Sequence, residues 1–154
     1  MTERSPSPYQ PAPPVILVAG EEELAKATAE LMGSQRVALD VESNGLFRYR
    51  ATLCTLQLAS SGDGPRIFVV DALRCPLGAL APLLGASGPS KIVHDVAFDA
   101  RILAEAGLPL ANVLDTSIAA RMLGRTATGL ASLLEAELGV RVDKKLQHHD
   151  WTER

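Results

Sequence analysis

The chain has 154 residues, a length that favours one domain with a sizeable core. Its 47% hydrophobic and 21% charged residues are ordinary for a globular protein, and its net charge of −3 argues against an overall basic nucleic-acid binder, though not against a local basic patch. No apolar run is long enough to span a membrane, and the N-terminal segment "MTERSPSPYQ" lacks the apolar core of a signal peptide. The two cysteines, Cys54 and Cys75, match no metal or redox spacing. We therefore expect a cytoplasmic protein with reduced thiols.

The first half of the chain is predicted to form a tail, one helix and four strands. Residues 1–14 hold five of the ten prolines, and we expect a disordered or extended tail before a domain that covers residues 15–154. A helix is predicted over residues 21–32, with glutamates at its start and Gly33 at its end. The predicted strands are 14–18, 36–42, 52–60 and 66–72. Short links between the last three indicate an antiparallel meander.

The second half alternates helices with strands. The predicted strands are 91–94 and 112–115, and the predicted helices are 76–85, 96–107, 116–124 and 128–139. We expect the four helices to begin at Pro76, at Asp95 as N-cap, at Asp115 or Thr116 as cap, and at Thr128 as cap. In the last helix we expect a buried stripe of leucines: Leu130, Leu133, Leu134 and Leu138. The order of elements predicts an α/β fold, a mixed sheet of five or six strands flanked by helices.

Two carboxylates interrupt the first core strand, "VALDVESNG" at 37–45. Residues two apart point to the same face of a strand, so Asp40 and Glu42 stand side by side, opposite the apolar residues. Their repulsion raises the cost of keeping both ionised, and something positive is expected beside them. Taken alone, the D-x-E triplet also fits an exposed acidic edge, or salt bridges to Arg36 and Arg48.

A third carboxylate, Asp99, follows the predicted strand 91–94 in "KIVHDVAFDARIL". It can serve as a favourable charge near a helix N-terminus, but Asp95 fits that role better. His94 is interpreted either as a strand-end histidine with a satisfied hydrogen bond or as a residue that contacts substrate. Three carboxylates from two neighbouring strand regions could hold two Mg²⁺ or Mn²⁺ ions, which would stabilise both oxygens in phosphodiester cleavage.

Several segments together resemble ribonuclease D and its relatives, the 3′-to-5′ exonucleases of the DEDD superfamily, which have a ribonuclease H-like fold. The resemblance covers about residues 15–154 and includes "VALDVESNG", "TLCTLQLAS", "IFVVDAL", "KIVHDVAFDARIL", "NVLDTSIAARML" and "DKKLQHHDWTER". It implies that Asp40 bridges two metal ions, that Glu42 helps to hold the ion that activates water, and that Asp99 ligates the other. It also implies a single-stranded 3′ end as substrate, RNA more than DNA.

The resemblance further implies a third motif after Asp150-Trp151, with a tyrosine and a fourth carboxylate on a last helix. The given chain stops at "DWTER", so we expect a truncated domain in which that helix is missing and activity is slow or absent. Asp143 and Asp150 do not match the position of the third motif. The alternative function is a non-catalytic nucleic-acid-binding or interaction module with an incomplete site.

Aromatic and basic residues alternate in "LFRYR" at 46–50. Phe47 or Tyr49 could stack on bases while Arg48 or Arg50 contacts phosphate, and an exposed hairpin tip explains the same pattern. Near the C-terminus we expect a mildly basic, solvated tail formed by Lys144, Lys145, His148 and His149. The Asp115-Thr116 pair resembles a recurrent pair in the family, and helix capping is sufficient to explain it.

Overall fold

The computed structural model describes residues 13–62, 64–142 and 149–153. Within this part of the chain, the six strands are β1 (Val15–Val18), β2 (Arg36–Ser43), β3 (Leu53–Ser60), β4 (Ile67–Asp71), β5 (Ser90–Val93) and β6 (Val113–Asp115). The α-helices are α1 (Glu21–Met32), α2 (Ala81–Leu84), α3 (Ala97–Glu105), α4 (Thr116–Met122) and α5 (Leu130–Leu138), and a 3₁₀ turn, Leu77–Leu80, precedes α2. The tail predicted for residues 1–14 falls almost entirely outside the described residues, as do Asp143, Lys144, Lys145 and His148.

The strands form one mixed sheet in the order β1-β4-β3-β2-β5-β6. Strands β2, β3 and β4 pair antiparallel, which confirms the predicted meander. The remaining pairs, β1 with β4, β2 with β5 and β5 with β6, are parallel. The carboxyl ends of β2, β5 and β6 therefore meet at one edge of the sheet, and the connection from β5 to α3 starts there.

One face of the sheet carries the hydrophobic core. Side chains Val37, Leu39 and Val41 of β2 are at most 4% exposed and pack with buried residues of α1, α2 and α3. Alternation along β2 sends Asp40 and Glu42 to the opposite face, as the sequence predicted. Both cysteines are buried and free of disulfides.

The opposite face of the sheet is only partly covered. Val15 and Leu17 on the edge strand β1 are 64% and 66% exposed. Helix α5 borders this face through Leu130, but no residue of α5 is buried. The predicted buried leucine stripe is therefore wrong, because α5 lies beside an open surface and not over the main core. Its N-cap is also Gly129 and not Thr128.

Two further predictions about helix starts are wrong. The segment predicted as a helix over 76–85 is a 3₁₀ turn followed by one α-helical turn, and Pro76 precedes both. Pro82 sits in the first turn of α2, where its missing N–H costs no hydrogen bond. Asp95 is not a cap, because its φ of 60° places it in a left-handed turn and Val96 is the N-cap of α3.

Lys91 on β5 is fully buried, which the sequence did not predict. Its Nζ donates to the carbonyl oxygens of Leu83 at 3.3 Å and Gly85 at 3.0 Å, at the C-terminus of α2. The ammonium group thus satisfies carbonyls that the short helix leaves without partners. Burial lowers the pKa of Lys91. Among the described residues, no helix has the length and apolar character needed to cross a membrane.

Candidate active site

Three carboxylates converge at the edge of the sheet where β2 and β5 end. Asp40 and Glu42 come from β2, which pairs with β3 so that Asp40 lies opposite Gln57 and Glu42 opposite Thr55. Asp40 keeps its contact with solvent, while Glu42 is half-buried. The parallel pairing of β5 with β2 brings the start of α3 to the same edge, and with it Asp99 in the first turn of that helix.

Asp99 is only 5% exposed, and no hydrogen bond to its carboxyl group forms within the part of the chain that the structure describes. Desolvation, followed by the negative charges of Asp40, Glu42, Asp95 and Asp115, raises the pKa of Asp99 to about 7. Burial of a carboxylate without a donor or a cation is unfavourable. Asp99 is therefore a buried carboxyl group whose charge no described residue compensates.

The two carboxylates of β2 also have raised pKa values. Desolvation and then the charge of Asp40 raise the pKa of Glu42 to about 7. Desolvation also raises the pKa of Asp40, while a hydrogen bond from the backbone of Val41 opposes the shift. Across residues 13–62, 64–142 and 149–153, none of the ion pairs involves Asp40, Glu42 or Asp99. The predicted alternative of salt bridges to Arg36 and Arg48 is thus wrong.

The donor set fits a hard divalent cation, because carboxylate oxygens are the ligands that Mg²⁺ and Mn²⁺ prefer. The described residues contain no group of three acidic, histidine or cysteine side chains already close enough to surround one ion. The arrangement is therefore a concentration of uncompensated negative charge, without a closed coordination shell.

His94, at the end of β5, is held in one orientation. The Thr116 hydroxyl donates to the Val93 carbonyl oxygen at 3.0 Å and lies 2.9 Å from His94 Nδ1. Because the hydroxyl has a single proton, it must accept from Nδ1, so Nδ1 carries hydrogen and Nε2 is the free acceptor of the neutral ring. His94 and Asp40 line the same mainly apolar cavity, of about 350 Å³.

A second cavity, of about 370 Å³, lies on the other side of Glu42. Of the residues predicted to contact substrate, Arg48 and Tyr49 line this cavity, whereas Phe47 is half-exposed and does not. The structure thus brings Arg48 and Tyr49 to Glu42, and His94 to Asp40, on two sides of the acidic group.

Four lining residues of the second cavity were missed by the sequence predictions: Phe98, Arg101, His149 and Trp151. Phe98 and Arg101 are three apart on α3, and the guanidinium lies 5.4 Å from the centre of the phenyl ring. That helical spacing beside Asp99 was a usable signal. His149, predicted to be part of a solvated tail, is exposed, and it also packs edge-on against Trp151 with ring centres 5.3 Å apart. No local pattern indicates that contact.

Asp150 is engaged locally. Its Oδ1 accepts from the Thr152 hydroxyl at 2.7 Å and from the Thr152 backbone N–H at 3.0 Å. These two bonds lower the pKa of Asp150. The structure gives this carboxylate a turn-forming role and does not add it to the acidic group.

Comparison with known proteins supports the fold and identifies the family. The family model for 3′-5′ exonuclease matches residues 15–154. The catalytic core of RRP6 from Trypanosoma brucei is 27% identical with a TM-score of 0.85, over 98% of this chain and 42% of that chain. These similarities confirm the predicted ribonuclease H-like α/β fold. No curated protein matches the chain.

Two further structures are similar. Escherichia coli RNase D, an exoribonuclease involved in structured RNA processing, is 26% identical with a TM-score of 0.80, over 91% of this chain and 37% of that chain. Brucella melitensis NrnC, in a structure bound to pGG, is 27% identical with a TM-score of 0.70, over 93% of this chain and 69% of that chain. The chain thus spans less than half the length of RRP6 and RNase D.

Proposed function

The chain belongs to the 3′-5′ exonuclease family, as its motifs predicted, and from this premise we propose that it is a metal-dependent hydrolase that shortens single-stranded nucleic acid from the 3′ end. One observation carries the proposal. Asp40, Glu42 and Asp99 converge at one edge of the sheet with raised pKa values, and no described cation pairs with them.

We propose that these three carboxylates hold Mg²⁺ or Mn²⁺. When bound, two such ions stabilise the attacking and leaving oxygens of a phosphodiester. Desolvation is the larger cause of the raised pKa of Glu42 and of Asp99, but the charge of Asp40 contributes to both, so Asp40 lies near each of the other two carboxylates. Glu42 would hold the ion on the side of the second cavity, and Asp99 the ion on the side of α3.

The second cavity is the proposed site for the 3′-terminal nucleotides. Arg48 and Arg101 would contact phosphate, while Tyr49 and Trp151 supply aromatic faces for bases. Phe47, at the exposed tip, would contact the strand further from its end. His94 would contact substrate through Nε2, on the side of Asp40.

RNA is the proposed substrate class. Of the similar structures, RNase D is an exoribonuclease and NrnC was observed with pGG. Both cysteines are buried thiols outside any disulfide, which also supports a reducing, cytoplasmic location as part of the proposal.

A non-catalytic binding module is the second candidate. It is favoured by the lack, among the described residues, of three ligands already close enough to surround one ion. The two functions differ in one result: the module binds single-stranded RNA and leaves its length unchanged.

The test is release of nucleotides from 3′-labelled and 5′-labelled single-stranded RNA in the presence of Mn²⁺ or a chelator. It is run on this chain and, if its reading frame continues beyond Arg154, on the longer product. We expect metal-dependent shortening from the 3′ end in at least one form. In that form, Asp40→Asn, Glu42→Gln and Asp99→Asn should each lower the rate by at least about 100-fold, because each removes a metal ligand.

The matched control is Glu22→Gln, which removes an exposed carboxylate on α1. It should leave the rate unchanged. Circular-dichroism melts should show that all four variants fold. If both forms bind RNA without shortening it, the chain is a non-catalytic binding module and not an exonuclease. If Asp99→Asn cleaves at the normal rate, Asp99 is not part of the site.

A further inference from the structure

Asp115 ends β6 and caps α4, but its carboxylate does more than cap. Oδ1 accepts from the N–H groups of Ser117 at 2.8 Å and Ile118 at 3.2 Å, which is ordinary N-capping. Oδ1 also accepts from Asp95 N–H at 3.2 Å, and Oδ2 accepts from Val96 N–H at 2.9 Å. One carboxylate therefore joins the start of α4 to the turn before α3, so the sequence interpretation of Asp115 as a cap alone is incomplete.

Thr116 completes the same connection. Its hydroxyl bonds to the Val93 carbonyl and to the His94 ring. Each of the four residues from Val93 to Val96 is thus hydrogen-bonded to Asp115 or Thr116. These contacts span about twenty positions in sequence, and they involve every residue between the end of β5 and the start of α3.

That turn has a conformation that needs external support. Asp95 has φ of 60°, a left-handed conformation that residues other than glycine seldom adopt. The first backbone hydrogen bond of α3 follows at once, from Ala100 N–H to the Val96 carbonyl at 2.8 Å. The position of Val96 therefore decides where α3 begins, and with it the position of Asp99.

Repulsion works against this position. The charges of Asp40 and Glu42 act on Asp99, and the turn must hold it beside them. Asp115 is itself suited to a permanent negative charge. Although desolvation raises the pKa of its carboxyl, the hydrogen bonds from Val96, Asp95, Ile118 and Ser117 lower it below the ordinary value overall.

We propose that Asp115 is a positioning residue, which fixes the turn between β5 and α3 so that Asp99 stands beside Asp40 and Glu42. The inference rests on the proposed function, because it assigns Asp115 a role in building the metal-binding carboxylate group. Asp115 acts through the backbone of Asp95 and Val96, and it does so although its own charge adds to the repulsion on Asp99.

Asp115→Asn separates the two roles of this side chain. The amide oxygen can still accept from Ser117 and Ile118 as the helix cap, while the NH₂ group replaces the oxygen that faces Val96 N–H. Asp115→Ser, which caps α4 with a shorter side chain, is the second variant if Asp115→Asn folds poorly. The control is Ala27→Gly, which weakens α1 on the other face of the sheet without touching the site.

Amide hydrogen exchange, measured by nuclear magnetic resonance without metal, reads the turn directly. In Asp115→Asn we expect exchange at Val96 and Ala100 to become at least about tenfold faster, because the Val96 N–H loses its acceptor. Exchange at Asp95 should change less, and exchange at Ser117 and Ile118 should not change, since these three N–H groups bond to the oxygen that the variant keeps. In Ala27→Gly the exchange rates of these five amides should keep their relative order. Unchanged exchange at Val96 in Asp115→Asn would overturn the proposal.

Calorimetric titration with Mn²⁺ then tests the consequence. Asp115→Asn should bind Mn²⁺ about tenfold more weakly than the control. In a protein that already carries Asp99→Asn, adding Asp115→Asn should not weaken Mn²⁺ binding further. An equal loss in the Asp99→Asn background would show that Asp115 acts by another route and would overturn the proposal. If neither this chain nor a longer product of its reading frame binds Mn²⁺, the proposed function fails, and the exchange rates alone decide whether Asp115 holds the turn.

Discussion

Asp99 is the residue whose burial is least favourable in the fold without metal. Its pKa is raised from 3.8 to about 7, so between those pH values the folded state binds a proton that the unfolded chain has released. The free energy of unfolding therefore falls as the pH rises through this window, and the full penalty is present above pH 7. The residue that we propose as a metal ligand thus lowers stability, which is common at active sites.

Asp99→Asn should accordingly stabilise the chain in the presence of a chelator. At pH 8 we expect the variant to gain roughly 2 kcal/mol in free energy of unfolding, because it removes a buried charge and little volume. Below pH 4 the two proteins should be equally stable, since Asp99 is then neutral. Urea unfolding at both pH values measures the difference. Addition of Mn²⁺ at pH 8 should stabilise the parent by more than it stabilises the variant, which keeps Asp40 and Glu42, and a variant that is less stable than the parent at pH 8 would contradict the prediction.

The sequence predicted some of these residues and not others for a physical reason. Strand alternation was enough to place Asp40 and Glu42 together on one face. The position of Asp99 after a buried strand, where Asp95 fits the cap better, added the third carboxylate, and the family resemblance gave the three their implied roles. The second role of Asp115 depends on contacts with Asp95 and Val96, which are distant in sequence. No local pattern reports such contacts, and a capping aspartate has the same local signature whether or not it makes them.

At the scale of elements, the strongly patterned segments were predicted well. Helix α1 begins and ends where its glutamates and Gly33 indicate, and β2 follows its alternation of apolar and polar residues. The errors occurred where the tertiary surroundings decide the outcome. Helix α5 has leucines at helical spacing, yet the surface beside it is open, so periodicity predicted burial that the packing does not provide.

Leucine substitutions distinguish the predicted stripe from the observed packing. Leu138 is 54% exposed on α5, so Leu138→Gln should change the free energy of unfolding by no more than about 0.5 kcal/mol. Leu31 is fully buried on α1, and Leu31→Ala should cost about 2–5 kcal/mol through the cavity it leaves. Urea unfolding compares the two variants. A cost for Leu138→Gln as large as that for Leu31→Ala would mean that α5 is packed against the core.

For the whole molecule, net charge and local charge act in opposite directions. The net charge of −3 repels a nucleic-acid strand, and the acidic group at the end of β2 adds to this repulsion. Beside Glu42, the second cavity carries Arg48, Arg101 and His149. Binding of a strand should therefore depend on a few local cations together with the divalent ions, and not on a broad basic surface.

The salt dependence of binding tests this balance. With Ca²⁺ present and a short fluorescent single-stranded RNA, we expect the logarithm of the association constant to fall with the logarithm of salt concentration at a slope of about −1.4, which corresponds to two phosphate contacts. Arg48→Gln should reduce the slope by about 0.7, because it removes one contact. Arg66→Gln is the control, since Arg66 pairs with Glu30 at the opposite end of the sheet, and it should leave the slope unchanged. Fluorescence anisotropy at several salt concentrations measures all three proteins. Equal effects of the two substitutions would indicate that binding follows overall charge, and the second cavity would then lose its proposed role in holding the strand.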